Sequence, residues 1–323
     1  MSEFPEISVV MGVYDGAAHL RETMDSVLSQ TGVKFEFVVV DDGSSDATPA
    51  ILEFYASRDA RVRVRRQGRL GLTRALIAGC AAARAPVIAR QDCGDVSLPG
   101  RLSRQLERLR STPGTSLVSA GAEFVGPRGE RLYAIQDTDT TLAAALSRTS
   151  LATTRGPSHH GATMFYRTAY EAVGGYRAAF VVAQDLDLWM RLWEQGGVLS
   201  VPEILYRARL HPQSLSATRR PEQVAYTQVI IEGAIARRNG RKDHSVDAAE
   251  RLTATRRHRK PEASVASFCY FLARVLEGSE PEVARRYLGE ALREDPLLAR
   301  AWFALARLSA RGWRRRWPRQ VAP

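Results

Sequence analysis

An α/β fold, with an open, mostly parallel sheet flanked by helices and a C-terminal all-helical appendage, is predicted by three features of this sequence. Strand-like and helix-like stretches alternate four times along residues 7–89. Two of the strand-like runs end abruptly in acidic clusters, at 41–46 and 92–95. Beyond residue 260 only helical spacing is found.

The elements follow in order. Ile7-Ser-Val-Val-Met11 is a β-branched run that reads as a buried strand. A turn-like segment from Gly12 to Gly16 leads into Leu20, Met24, Val27 and Leu28, which recur at helical spacing and predict an amphipathic helix over residues 17–30. Phe35-Glu-Phe-Val-Val-Val40 is a second strand, and Thr48-Pro49 opens a second helix through Ile51, Leu52 and Tyr55. Arg61-Val-Arg-Val64 is a third strand, followed by an Ala-rich helix over residues 72–83. Pro86-Val-Ile-Ala89 is a fourth strand, running straight into Arg90-Gln-Asp-Cys-Gly-Asp95. In an open sheet of this kind ligands bind beyond the carboxyl ends of the strands, where both acidic clusters fall.

The later elements are a helix after Pro99 carrying Leu102, Leu106 and Leu109, a strand over residues 117–125, and a His-Gly-rich turn with a short apolar stretch over 158–167. A helix starts at Asp185, a strand spans residues 204–211, and another helix covers 221–237. Residues 1–240 are therefore read as the main domain, 241–260 as a basic linker, and 261–323 as a helical extension with a basic tail. Val283, Tyr287, Leu288, Ala291 and Leu292, then Asp295-Pro296 and Trp302, resemble a single tetratricopeptide unit. One such unit cannot bury its own face, so the extension is read as a helical cap.

The chain has 323 residues, 45% of them hydrophobic, and a net charge of +11. Residues 251–323 hold 16 basic and 7 acidic side chains, so nine of the eleven excess charges lie in the end of the linker and the extension together. The nearly balanced main domain gives no electrostatic reason to expect nucleic acid as a partner. Trp313 and Trp317 stand among arginines, a pattern that suits either contact with an anionic membrane or a solvated, frayed terminus. Three cysteines are too few and too dispersed for a disulfide framework or a zinc site. The first residues lack a signal-peptide pattern and no apolar run approaches the ~20 residues of a spanning helix. The expectation is a cytoplasmic protein, with peripheral contact at the inner face of the membrane the one qualification. Neither G-x-G-x-x-G nor G-x-x-x-x-G-K-[ST] occurs, which sets aside the dinucleotide fingerprint and the P-loop.

Carboxylates at strand ends point to a metal–phosphate site, because a divalent cation bridging phosphate needs one or two of them. Asp41-Asp42-Gly43 also has the composition of a turn and helix cap, and Ser44, Ser45 and Asp46 are read that way. The combination of motifs says more. Val9-Val-Met-Gly-Val-Tyr-Asp15, Val39-Val-Asp-Asp-Gly-Ser-Ser-Asp46, Gln67-Gly-x-x-Gly-Leu-Thr-Arg74, the stretch from Ala89 to Leu102, Gly174-Gly-Tyr176, Gln184-Asp-Leu-Asp-Leu-Trp189 and Arg209-Leu-His-Pro-Gln-Ser-Leu-Ser216 occur in that order. Over residues 6–216 the chain resembles the inverting family 2 glycosyltransferases of the GT-A fold.

That resemblance implies transfer from a nucleoside-diphosphate sugar to a glycan or lipid-linked acceptor in polysaccharide, lipopolysaccharide or related glycoconjugate biosynthesis. It implies that Val13, Tyr14, Asp41, Asp42, Arg74 and Asp92 bind the donor. It implies a divalent cation, Mn²⁺ or Mg²⁺, met by Asp95 and His211, with Asp92 as a further ligand. The D-x-D pattern of the family is broken here, since position 94 holds Gly94. A non-catalytic sugar-nucleotide binder of the same fold is the alternative that this departure raises. His160 aligns with a family histidine placed to touch donor phosphate or acceptor; its neighbour His159 faces the opposite way in an extended segment. Asp185 takes the position of the catalytic base, with Asp187 as rival. Residues two apart on a helix point to nearly opposite sides, so one site cannot use both. Trp189 and Trp193 are read as core packing.

Overall fold

The structure, a computed structural model, describes residues 4–212, 220–255 and 265–316, without side chains at 220–221 and 309–316. The end of the last motif (213–216), the basic residues 256–260, the Trp313 side chain and Trp317 lie outside the described residues.

The strands are β1 (Ile7–Val13), β2 (Phe35–Asp41), β3 (Val62–Arg66), β4 (Val87–Arg90), β5 (Val96–Ser97), β6 (Leu117–Val125), β7 (Arg131–Ile135), β8 (Thr163–Tyr166) and β9 (Val198–Arg209). The helices are α1 (Ala17–Leu28), α2 (Thr48–Ala56), α3 (Leu72–Ala82), α4 (Arg101–Arg110), α5 (Asp139–Ser147), α6 (Arg167–Ala172), α7 (Gln184–Gly196), α8 (Arg220–Arg238), α9 (Ser245–Thr255), α10 (Val265–Leu276), α11 (Pro281–Glu294) and α12 (Ala299–Arg316).

The main path of the sheet runs β3-β2-β1-β4-β8-β6-β9-β5. β1 pairs parallel with both β2 and β4, and β2 with β3. The pairs β4–β8, β6–β8 and β5–β9 are antiparallel. The apolar runs of β1 and β2 are continuous because both faces are covered. Val9, Met11, Phe37 and Val39 pack beneath α1, α2 and α4, while Val10 and Val38 join the opposite core with α3, α7 and α8. Chain order reverses beside β1, which places a crevice at the carboxyl ends of β1 and β4.

Two compact units are present. The larger comprises residues 1–124, 134–209 and 221–259. Residues 245–255, inside the stretch read as linker, form α9 there, with Ser245 and Ala249 buried. The smaller unit comprises 125–133, 210–220 and 260–323. Its core is Phe268, Leu272 and Leu276 of α10, Tyr287, Leu288 and Leu292 of α11, and Ala301 and Leu308 of α12. Three helices share that core, one more than the pair read from the sequence. Within it Arg128 pairs with Glu290 at 2.7 Å, and the Tyr287 hydroxyl donates to Glu130 at 2.7 Å.

β9 begins six residues earlier than the strand expected from residue 204, despite Pro202. Proline has no N–H to give a ladder and is tolerated where that donor would face no partner. Trp189 is buried, with Trp193 partly so beside it, as their helical spacing predicts.

Candidate active site

The loops after β1, β2 and β3 are tied to one another by carboxylates. Asp42 is buried, and its N–H donates to the Val13 carbonyl at 2.8 Å. Its carboxylate accepts from Gln67 Nε2 at 2.6 Å, Leu70 N at 2.9 Å and Gly71 N at 2.8 Å. Asp42 therefore fixes the loop that opens α3. Asp41, also buried, accepts from Ser44 N at 3.0 Å. Asp15 takes a left-handed φ of +46° and accepts from Ser45 N at 2.7 Å, while its own N–H donates to Ser44 Oγ at 3.0 Å. These bonds hold Tyr14 at the mouth, 38% exposed, with the Arg69 guanidinium 4.2 Å above its ring. Val13, Tyr14, Asp41 and Asp42 are thus brought together. Arg74 lines a cavity of about 520 Å³ with Ala179, Val181, Glu250 and Thr253.

At the end of β4 the acidic segment folds back on itself. Gly94 has φ +95°, a conformation a side-chain-bearing residue rarely adopts. The turn brings Asp95 N within 3.3 Å of the Asp92 carbonyl. Position 94 is consequently unsuited to a carboxylate, and Asp95 supplies the second one. Donor atoms of Asp92, Asp95 and His159 lie within 4.8 Å of one another. His159 Nδ1 is 3.8 Å from Asp92 and 3.6 Å from Asp95, and accepts from Gly161 N at 3.1 Å. Burial works against the Asp92 charge, but Arg90, 2.7 Å away, outweighs it and holds that carboxyl below its ordinary range. Among the described residues no arginine side chain pairs with Asp95 in this way. Burial, with a contribution from Asp92, pushes it up to about 6 even though His159 acts in the opposite sense. Two carboxylates with an imidazole beside them fit a divalent cation, the Nδ1 lone pair turning from the Gly161 N–H to the ion, and a nitrogen donor favours Mn²⁺ over Mg²⁺.

His160 lies on the other side of its segment from His159. It is buried, 2.7 Å from the Tyr176 hydroxyl, and its Nε2 accepts from Arg90 Nε at 3.3 Å. Burial and Arg90 lower its pKa to about 3, so the ring is neutral. An arginine nitrogen can only donate, which leaves the imidazole proton on Nδ1. His160 supports Arg90, and Arg90 holds Asp92; His159, which sequence reasoning left without a role, is the one that faces the carboxylates. Only the parity of an extended segment signalled that one of the two would.

Asp185 stands in the first turn of α7, behind Ala183 in the left-handed conformation with φ +56°. Burial raises its carboxyl above the ordinary range, and Asp92 adds to that. The Leu186 N–H at 2.9 Å and His159 act the other way. Asp92 and His159 thus reach Asp185 electrostatically. Asp187 is buried in a different network, where Arg177 pairs with it and Arg191 meets it at 2.5 Å. Gln184 is buried beside Asp185, and its Oε1 has no partner among the described residues. His211 belongs to the segment 210–220 of the smaller unit.

Comparison with known proteins identifies the fold and the family. The architecture is similar to that of Staphylococcus aureus TarS 1–349 solved in complex with UDP, with a TM-score of 0.55 and 16% identity over 98% of this chain and 94% of that one. The fold is thus the GT-A type, an α/β sheet of glycosyltransferases with added C-terminal helices. The model for glycosyl transferase family 2 matches residues 8–174. Bacillus subtilis EpsE, described as a glycosyltransferase, is 31% identical over 218 residues, which are 65% of this chain and 74% of EpsE. The amylovoran biosynthesis glycosyltransferase AmsE of Erwinia amylovora is 28% identical over 207 residues, 62% of this chain and 75% of AmsE. The chain belongs to glycosyltransferase family 2.

Proposed function

We propose that the chain transfers a sugar from a nucleoside-diphosphate sugar to a hydroxyl of a glycan or lipid-linked acceptor, with inversion at the anomeric carbon, in polysaccharide or related glycoconjugate biosynthesis. The observation that carries this reading is the placing of Asp185. A carboxylate with a raised pKa stands at a helix start, within electrostatic reach of Asp92 and His159. Inverting transfer needs one base that accepts the acceptor proton as the oxygen attacks opposite the leaving diphosphate, and raising the pKa strengthens that base. Asp187 is unsuited to the task because two arginines already occupy it.

The remaining groups bind and orient. Tyr14 and Arg69 offer a flat face to the nucleobase, and Asp41 a carboxylate to base or ribose. Asp92, Asp95 and His159 would hold a divalent cation, which supplies charge to the departing diphosphate. This donor set lies wholly in the larger unit and takes the role that the family resemblance gave to Asp95 with His211. The amylovoran biosynthesis relative AmsE supports the biosynthetic role, and the UDP complex of TarS supports the donor class.

The test is incubation of the purified chain with UDP-, GDP- and dTDP-sugars and Mn²⁺, together with a panel of glycan and lipid-linked acceptors. The expected result is a glycoside whose anomeric configuration, read by NMR, is opposite to that of the donor. A product that retains the donor configuration would overturn the assignment of Asp185.

A further inference from the structure

Tyr206 lies in β9 and is fully buried. Its hydroxyl accepts from Asp92 N at 3.1 Å and donates to Asp95 Oδ2 at 2.9 Å. Its ring is stacked on His159, with centroids 5.3 Å apart and planes 23° from parallel. The Arg101 guanidinium lies 5.0 Å from the same ring. One side chain therefore touches all three residues of the cation-binding set.

The direction of each bond is determined by chemistry. A hydroxyl has one proton. The Asp92 N–H can only donate, so the Tyr206 proton is left for Asp95. Asp95 Oδ1 is meanwhile taken by the Arg209 N–H at 2.9 Å. Both oxygens of Asp95 are thereby oriented before any ligand arrives. The stacking partner sets the tilt of the His159 ring in the same way, while its Nδ1 accepts from the Gly161 N–H and has to give up that bond to meet a cation.

The surroundings are shaped to let this hydroxyl in. A Cβ on Gly161 would stand 1.8 Å from the Tyr206 oxygen, so the absence of a side chain there admits it. Gln91 Nε2 donates to the carbonyls of Asp92 and Asp95, both at 3.1 Å, and Arg101 donates to Gln91 Oε1 at 2.9 Å and to the Arg90 carbonyl at 2.5 Å. The 92–95 turn is clamped through its backbone by Gln91, and its carboxylate spacing is set from across the sheet.

We propose that Tyr206 is a positioning residue: its hydroxyl and ring hold Asp92, Asp95 and His159 at the mutual spacing that binds a divalent cation. Partners of this kind orient the groups that meet the metal, and their loss typically weakens binding about 10- to 100-fold. The inference rests on the cation site described under the proposed function.

The test uses the full chain, Mn²⁺ alone as probe, and two readouts: the Mn²⁺ Kd by calorimetry, and the Tm without metal. Tyr206→Phe keeps the stacked ring and deletes the hydroxyl. Its expected Mn²⁺ Kd is about 10- to 100-fold weaker, with a metal-free Tm close to that of the parent. Gly161→Ala keeps the tyrosine but would set its Cβ 1.8 Å from the hydroxyl oxygen and 2.4 Å from Cζ, so the ring end must move away, and a loss at least as large is expected. A folded variant of either kind that binds Mn²⁺ as tightly as the parent overturns the role of Tyr206. A loss of Tm in step with the loss of affinity also overturns it, by making Tyr206 merely structural. If the unmodified chain binds no Mn²⁺, the cation site itself fails, and that outcome is distinct from the other two.

Discussion

In the β3-β2-β1-β4 half of the sheet, neighbouring strands are parallel and helices cover both faces. In the β8-β6-β9-β5 half, the pairs β6–β8 and β5–β9 are antiparallel, and the elements that deliver His159, Asp185 and Tyr206 come from widely separated parts of the chain. The parallel half carries the proposed grips, Tyr14, Asp41 and Asp42, on loops tied together by carboxylate-to-backbone bonds. The antiparallel half and the segments joined to it contribute His159, Tyr206 and Asp185. The site exists only where the two halves meet, since Asp92 and Asp95 end the last parallel strand while Tyr206 and His159 come from beyond it.

The sharpest way to break this division lies within α7. Asp185 and Asp187 differ by two positions, yet one is assigned to chemistry and the other to architecture. Asp185→Asn is expected to lower kcat by about 10²- to 10⁴-fold, the usual contribution of a positioned base, with donor KM and Tm little changed. Asp187→Asn is expected to cost about 3–5 kcal/mol of stability, because Arg177 and Arg191 are left around a buried neutral amide. The kcat of the molecules that remain folded is expected to hold. Initial rates and thermal melts on both variants check the pair, and an exchange of the two phenotypes would sink the assignment.

Next in size is the response of the cation site to pH. The folded pKa of Asp95, about 6, lies above its unfolded value, so its ionised form is the less stable one in the fold. The contribution of this group to metal-free stability is therefore greatest below the unfolded pKa and is lost as pH rises through about 6. A cation reverses the preference, since it binds the carboxylate and not the acid. The rise in Tm that Mn²⁺ produces at pH 7.5 is expected to fade as the pH falls through about 6. A shift of constant size down to pH 5 would remove Asp95 from the donor set.

The same division explains what could be read in advance. Each strand–helix unit of the parallel half announces itself, because a run buried on both faces is unbroken and Gly, Pro or Asp punctuates each end. Asp185, the proposed base, was named from its motif. Of the metal set, Asp92 and Asp95 were named from the motif but His159 was not, because its approach to the two carboxylates depends on the turn at Gly94 and on a distant segment, which a spacing pattern does not contain. Tyr206 looks like any apolar position of a strand, and its hydroxyl acquires meaning only from partners more than a hundred residues earlier. The doublet Asp41-Asp42 was visible, but that Asp42 spends its carboxylate on the 67–71 loop follows from a fold that brings two distant turns together. One missed element did carry a local sign: Thr138 and Thr141 cap each other at the start of α5.

The smallest expected effect tests the parallel half alone. Arg69 is exposed at the tip of the loop that Asp42 fixes, and its guanidinium covers the ring of Tyr14. A cation over an aromatic face at an exposed site is worth about 0.5–1 kcal/mol. If the pair forms the face on which the nucleobase settles, Arg69→Ala is expected to weaken nucleoside-diphosphate binding by about two- to fivefold. The kcat at saturating donor is expected to stay the same, because Arg69 belongs to the gripping half and touches none of the groups around Asp185. Asp42→Ala serves as the companion variant: it frees the whole loop, so it is expected to produce the Arg69 effect together with a loss of Tm, since Leu70 N and Gly71 N lose their acceptor. Equilibrium binding of UDP, GDP and dTDP to the three proteins separates the outcomes. A fall in kcat with unchanged nucleotide affinity in Arg69→Ala would show that the two halves do not divide binding from chemistry at this loop.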